Sequence, residues 1–310
     1  MDRLRGLAVL VMIEVHVTNA LLAPGFRAGA AFRSLDFLNG LVAPSFLFCA
    51  GVAAGIKMHP LARDVRRSLV LLAFGYLLHL SGALRGDWAG VFQVDVLQVT
   101  ALALMGVALV RRAPRAEGLL AAIAIALVAL TPVMHAQDTR GWSAFARPYV
   151  NDAVTTQFPL FPWAAYVFAG AACARLPPKW LAIAGVASLA IGLTHVDAAL
   201  RLGVVATFTA ALSLLDARPL GKLDDLLSLF GRRSLLVYLA HIAIVYGTHP
   251  LSLRSLIGAT LSPMACATVW LAVTASMALL AKRAPGNLSP DRSEESAGDF
   301  RREQASPRSG

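Results

Sequence analysis

At 310 residues, with 57% of them hydrophobic, 15% charged and a mean hydropathy of +0.64, the chain is too apolar for a water-soluble domain of ordinary composition. Its 28 Lys and Arg against 18 Asp and Glu would suit nucleic acid in a soluble protein, but the charges lie in the breaks between apolar stretches. Membrane topology accounts for them, and nucleic acid drops out as a partner.

Apolar stretches long enough to cross a hydrocarbon core of roughly 30 Å recur from end to end. Hydropathy and Gly, Pro and charge breaks predict an all-α, polytopic integral membrane bundle of roughly ten transmembrane helices, near 5–23, 37–57, 67–83, 92–111, 117–134, 158–175, 179–194, 200–216, 233–249 and 259–281. An even number of spans puts both termini in the cytoplasm. In that topology the inner loops hold the larger share of the basic residues, among them Arg63, Arg66, Arg67, Arg111, Arg112 and Arg115. Residues 1–283 form one transmembrane domain, and the polar, mixed-charge stretch 284–310 reads as a disordered cytoplasmic tail.

The first helix is read as retained rather than as a signal peptide, because it is long, carries Glu14 and His16, and precedes many further spans. An ionisable side chain at membrane depth costs about 2.5 to 3.5 kcal/mol on insertion scales, so each is a functional hypothesis. Arg5 and His16 are eleven residues apart in RGLAVLVMIEVH, and eleven steps of about 100° bring them to within roughly 20° of one direction. His16 then lies some 16 Å deeper than Arg5, at about 1.5 Å per residue. A basic anchor at the cytoplasmic mouth and an imidazole in the interior suit an anionic cofactor that enters from inside and reacts at depth. The competing reading of His16 is packing glue between helices. Glu14 points to the opposite side of the helix.

Cys49, Cys173 and Cys266 fall in apolar spans without metal-ligand spacing and read as buried free thiols. His79, near the external end of the third span, reads as structural. Asp95 and Gln98, in FQVDVLQ, open the fourth span on the external side, where a carboxylate can orient or deprotonate a histidine. The longest external loop, about 135–157, holds Asp138, Arg140, Trp142, Arg147, Tyr149, Asn151 and Asp152. In the ninth span, GRRSLLVYLAH sets Arg232 and Arg233 at the inner mouth. Ser234, Tyr238 and His241 recur there at i, i+4 and i+7 as a polar stripe that serves either a ligand or a helix seam. No Gly-rich phosphate loop, Cys/His metal cluster or GxSxG elbow is present in the sequence, which argues against ATP-driven pumping by this chain alone.

The opening DRLRGLAVLVMIEVH resembles the first helix of membrane acyltransferases, of both the acyltransferase-three family and the heparan-α-glucosaminide N-acetyltransferase-like family. LNGLVAPSFLFCAG, FPLFPWAAYVFAGA and GRRSLLVYLAHIAIVYG agree in order, so the similarity spans most of residues 2–250. The Arg, ten residues, His arrangement is its most specific element, and Arg5 and His16 match it. The resemblance implies transfer of an acyl group, usually acetyl, from cytoplasmic acyl-CoA to a sugar amine or hydroxyl on the far side. It makes His16 the catalytic residue, as general base or transient acyl carrier. Asp95, Glu14, His241 and Tyr238 become orienting or acid/base candidates; Arg5, Arg232, Arg233 and Gln98 become acyl-CoA contacts, and no metal is implied.

The heparan-type enzymes place a key histidine between the first two aligned spans, and the corresponding APGFRAGAAFRSLDF has none. Family members commonly carry a longer cytoplasmic segment ahead of the first helix, so the start is read as truncated or misassigned. The expected partners are the lipid bilayer, an extracytoplasmic saccharide or glycoconjugate, and a second copy of the chain. Multi-pass residence in a bacterial inner membrane is the expected location. The alternative is a proton-coupled transporter or flippase for a polar solute, with the same histidines as a relay.

Overall fold

The computed structural model describes residues 2–83, 88–151, 156–215, 221–247 and 251–284, and all elements assigned among them are helical, apart from one isolated bridge. Besides a 3-10 turn at Pro24–Phe26, they are in chain order α1 (Asp2–Leu21), α2 (Ala30–Asn39), α3 (Val42–Ile56), α4 (Leu61–Ala83), α5 (Trp88–Val91), α6 (Val96–Val110), α7 (Ala116–His135), α8 (Arg147–Val150), α9 (Leu160–Cys173), α10 (Pro178–Gly192), α11 (Asp197–Leu215), α12 (Lys222–Arg232), α13 (Ser234–Tyr246), α14 (Leu253–Ile257) and α15 (Pro263–Arg283). Helices dominate because hydrocarbon leaves the backbone no partner except itself. Asp152 and the expected tail beyond Ala284 lie outside the described residues.

Each of the ten expected segments contains a helix, but ten full spans are not what helix length supports. Among the described residues, five helices are long and apolar enough to cross a membrane: α1, the α2–α3 pair taken together, α7, α11 and α15. A sixth arises if α12 and α13, bent by 83° at Arg233, form one broken span. At 14 or 15 residues, α6, α9 and α10 fall short of the roughly 20 that a bilayer core requires. The placement of both termini rested on that count and is not fixed by it. Hydropathy also passed over α12, because Lys222, Asp224, Asp225 and Arg232 lower its average while Leu227 and Phe230 are buried.

Two apolar clusters build the interior. One gathers Leu47 and Phe48 of α3, Val99 and Ala103 of α6, Leu120 of α7 and Val167 of α9. The other gathers Val9, Ile13 and Val17 of α1 with Phe230, Val237, Val245 and Met277 of α12, α13 and α15. The start of α6 belongs to both, since Leu97 faces the second cluster and Val99 the first.

Close helix approach is set by small residues. A Cβ on Gly51 or Gly55 of α3 would collide with the Val167 or Ala171 carbonyl of α9, and one on Gly170 with that of Phe48. This is a GxxxG contact of the kind that joins helices in lipid, where packing replaces the hydrophobic effect. The same device joins α1 to α12: a Cβ on Gly6 would meet the Leu227 carbonyl, and one on Gly231 the Asp2 carbonyl. Arg27 folds back to cap the C-terminus of α1, donating to the carbonyls of Thr18, Asn19 and Leu22 at 3.3, 3.1 and 2.9 Å. Trp270 of α15 donates to the Leu10 carbonyl at 3.1 Å.

Candidate functional site

Helix α1 is thus held on several sides, and the side that carries Arg5 and His16 faces α12 and α13. The break at Arg233 turns α13 back along α1 and brings His241 against His16, with Nδ1 of His16 2.8 Å from Nε2 of His241. That distance is inside the separation of stacked faces. With planes 9° apart and centroids 5.0 Å apart, the two rings therefore lie edge to edge in nearly one plane, which gives a well-aligned hydrogen bond. His241 is fully buried, and its Nδ1 lies 2.7 Å from the Val237 carbonyl one turn back. Tyr246 donates to the His16 carbonyl at 3.2 Å and sets its ring edge-on to the imidazole. His16 keeps part of its surface accessible.

A second polar group joins α13 to α6. Asp95 caps α6 by accepting from Val96 N–H at 2.6 Å, and Gln98 completes a capping box by accepting from Asp95 N–H at 3.0 Å. Tyr238 donates to the other Asp95 oxygen at 3.1 Å, and His79 Nε2 stands 4.0 Å from it.

These contacts sort the orienting candidates. His241 reaches His16; Tyr238 binds Asp95 and sets its ring edge-on to His241. Asp95 is committed to the α6 cap and to Tyr238 rather than to His16. Glu14 lies on the far side of α1, where it accepts from the Thr18 hydroxyl at 2.6 Å. Gln98, expected among the acyl-CoA contacts, is fully buried with its oxygen on Asp95 and its nitrogen on the Gln93 carbonyl at 3.2 Å. Its amide is occupied in holding the helix start.

At the other end of α1, Arg5 donates to the Gly231 carbonyl at 3.4 Å and lies 3.6 Å from Asp2. Arg232 is exposed at the α12–α13 junction, and Arg233 donates to the Ala284 carbonyl at 3.0 Å. Arg5 and the adjacent pair Arg232 and Arg233, far apart in the sequence, therefore lie at one end of the α1–α12 contact, which an ion pair between Arg3 and Asp224 pins together. Arg111 and Arg112 instead tie the C-terminus of α6 to the chain after α3: Arg111 binds the Lys57 carbonyl and Arg112 that of His59, both at 2.7 Å.

Sequence reasoning missed the pairing of the two histidines and the role of α12. A usable signal existed for the first: each histidine follows an arginine mouth on its own helix, His16 after Arg5 and His241 after Arg233.

Residues 1–196 match the sequence profile of the family described as heparan-alpha-glucosaminide N-acetyltransferase, catalytic. Comparison with curated proteins and with solved structures gives no match.

Proposed function

The chain belongs to the heparan-alpha-glucosaminide N-acetyltransferase catalytic family, and from that premise we propose that it carries an acyl group, acetyl in the first instance, from cytoplasmic acyl-CoA to an amine or hydroxyl of an extracytoplasmic saccharide or glycoconjugate. Family membership makes it a membrane acyltransferase at the coarse level; donor, acceptor and direction belong to the proposal. The domain comprises residues 1–283, resides in a bacterial inner membrane and carries 284–310 as a cytoplasmic tail.

The observation that carries this reading is the 2.8 Å contact between His16 and His241, on the α1 face that also carries Arg5. Arg5, Arg232 and Arg233 would pair with the CoA phosphates, where charge-assisted contacts are strongest. His16 would take the proton of the acceptor nucleophile, a role worth typically 10²- to 10⁴-fold in rate. Position supports the division of labour: the arginines lie at the α1 N-terminus and the imidazole about 16 Å along the helix.

The 83° break between α12 and α13 is a feature that the transporter or flippase reading would use, since discontinuous helices line solute sites. Radiolabelled acetyl-CoA supplied to inverted vesicles separates the two. Wild type transfers label to lumenal glycans and releases CoA, and His16→Ala loses both while remaining folded. A chain that releases no CoA across amine and hydroxyl acceptors and shows no saturable acyl-CoA binding is not this enzyme.

A further inference from the structure

The two hydrogen bonds of His241 decide which nitrogens of the histidine pair carry protons. The Val237 carbonyl can only accept, so the 2.7 Å bond requires a proton on His241 Nδ1. In the neutral ring, Nε2 is then a lone pair, and the 2.8 Å bond beyond it requires the proton of His16 to sit on Nδ1. Neutral His16 is left with a bare Nε2 that makes no hydrogen bond among the described residues. A packing seam would be served by either order of donors; the carbonyl permits one.

We propose that His241 is a positioning residue that locks His16 in its Nδ1–H tautomer and leaves the Nε2 lone pair to the acceptor nucleophile. The chemistry of this assignment rests on the acyl-transfer reading, whereas its geometry does not. The acceptor atom attacks the thioester carbonyl carbon, forming one bond while the carbon–sulfur bond breaks. Its proton passes to His16 Nε2 and from there to the departing thiolate, so acyl-CoA and acceptor give acylated acceptor and free CoA thiol. Because the chain of bonds ends on the Val237 carbonyl, a proton on the pair has no exit through His241, and the acceptor's proton leaves with the CoA thiol.

The test is magic-angle-spinning NMR on the full chain in lipid with ¹⁵N-labelled histidine, with His16 assigned by its absence from the His16→Asn spectrum. Wild type should show His16 protonated at Nδ1 and bare at Nε2. In His241→Leu the ring reverts to Nε2–H, kcat falls roughly 100-fold and the KM for acyl-CoA stays within about two-fold. His241→Gln, whose amide oxygen can accept from Nδ1, restores the tautomer and about ten-fold of the lost rate. A wild-type His16 protonated at Nε2 overturns the proposal, even if acyl transfer is intact. So does a His241→Gln variant that shares the tautomer and rate of His241→Leu. The expected tautomer in a protein without acyl transfer supports the lock and removes the enzymatic reading instead.

Discussion

Tyr238 donates to Asp95 at 3.1 Å, so the face of α13 that carries His241 is fastened to the carboxylate that starts α6. The partners are 143 residues apart in sequence. The bond holds the His241 turn at a fixed height against α6, and it predicts a measurable coupling. In a double-mutant cycle of Asp95→Ala and Tyr238→Phe, followed by denaturant unfolding in mixed micelles, the interaction should be about 0.6 to 1.7 kcal/mol. Additive effects would show that the two residues do not act together.

Arg5 is placed to serve either as a phosphate contact or as a cap on the Gly231 carbonyl. As a phosphate contact, Arg5→Ala raises the KM for acyl-CoA about ten-fold, the loss of one charge-assisted interaction, with kcat nearly unchanged. As a cap alone, it lowers the thermal midpoint and leaves KM where it was. Steady-state kinetics beside a melting curve separates the two.

The α3–α9 contact should tolerate no added bulk. Gly51→Leu forces the helices apart at the Val167 carbonyl and should cost at least about 2 kcal/mol, a large fraction of typical stability. Gly118→Ala in α7, where an added Cβ meets nothing, should be neutral or slightly stabilising. Equal melting temperatures for Gly51→Leu and wild type would refute the close packing.

Asp138, in the loop after α7, is held below the ordinary carboxylate value of 3.8 first by the Arg140 backbone N–H and then by the Arg140 guanidinium. A depressed folded value means that its contribution to loop order is present above 3.8 and lost as pH falls through the lower folded value. Arg140→Ala removes the guanidinium and keeps the backbone donor, so the carboxyl titration followed by NMR should move only part of the way back. A full return to 3.8 would mean that the backbone bond does not form in solution.

The ten helical segments were legible because apolar runs in lipid must be helical. Their number as spans was not, because hydropathy measures composition and α6, α9 and α10 are short by several residues. Helix α12 was invisible for the opposite reason, since its burial is one-sided and its charges dilute the average. At the site, Asp95 looked suited to orient a histidine, yet its oxygens went to an N-cap and a tyrosine. Gln98 looked suited to a ligand and went to the same cap.

By itself, then, the sequence determined the solvent, the helical class and the alignment of Arg5 with His16, because these depend only on composition and the helical period within one segment. The tertiary structure alone decided that His241 rather than Glu14 or Asp95 meets His16. That choice depends on the 83° turn at Arg233 and on the close contact of Gly6 and Gly231 with the neighbouring backbone. These fix distances between residues 225 positions apart, and no local periodicity records them.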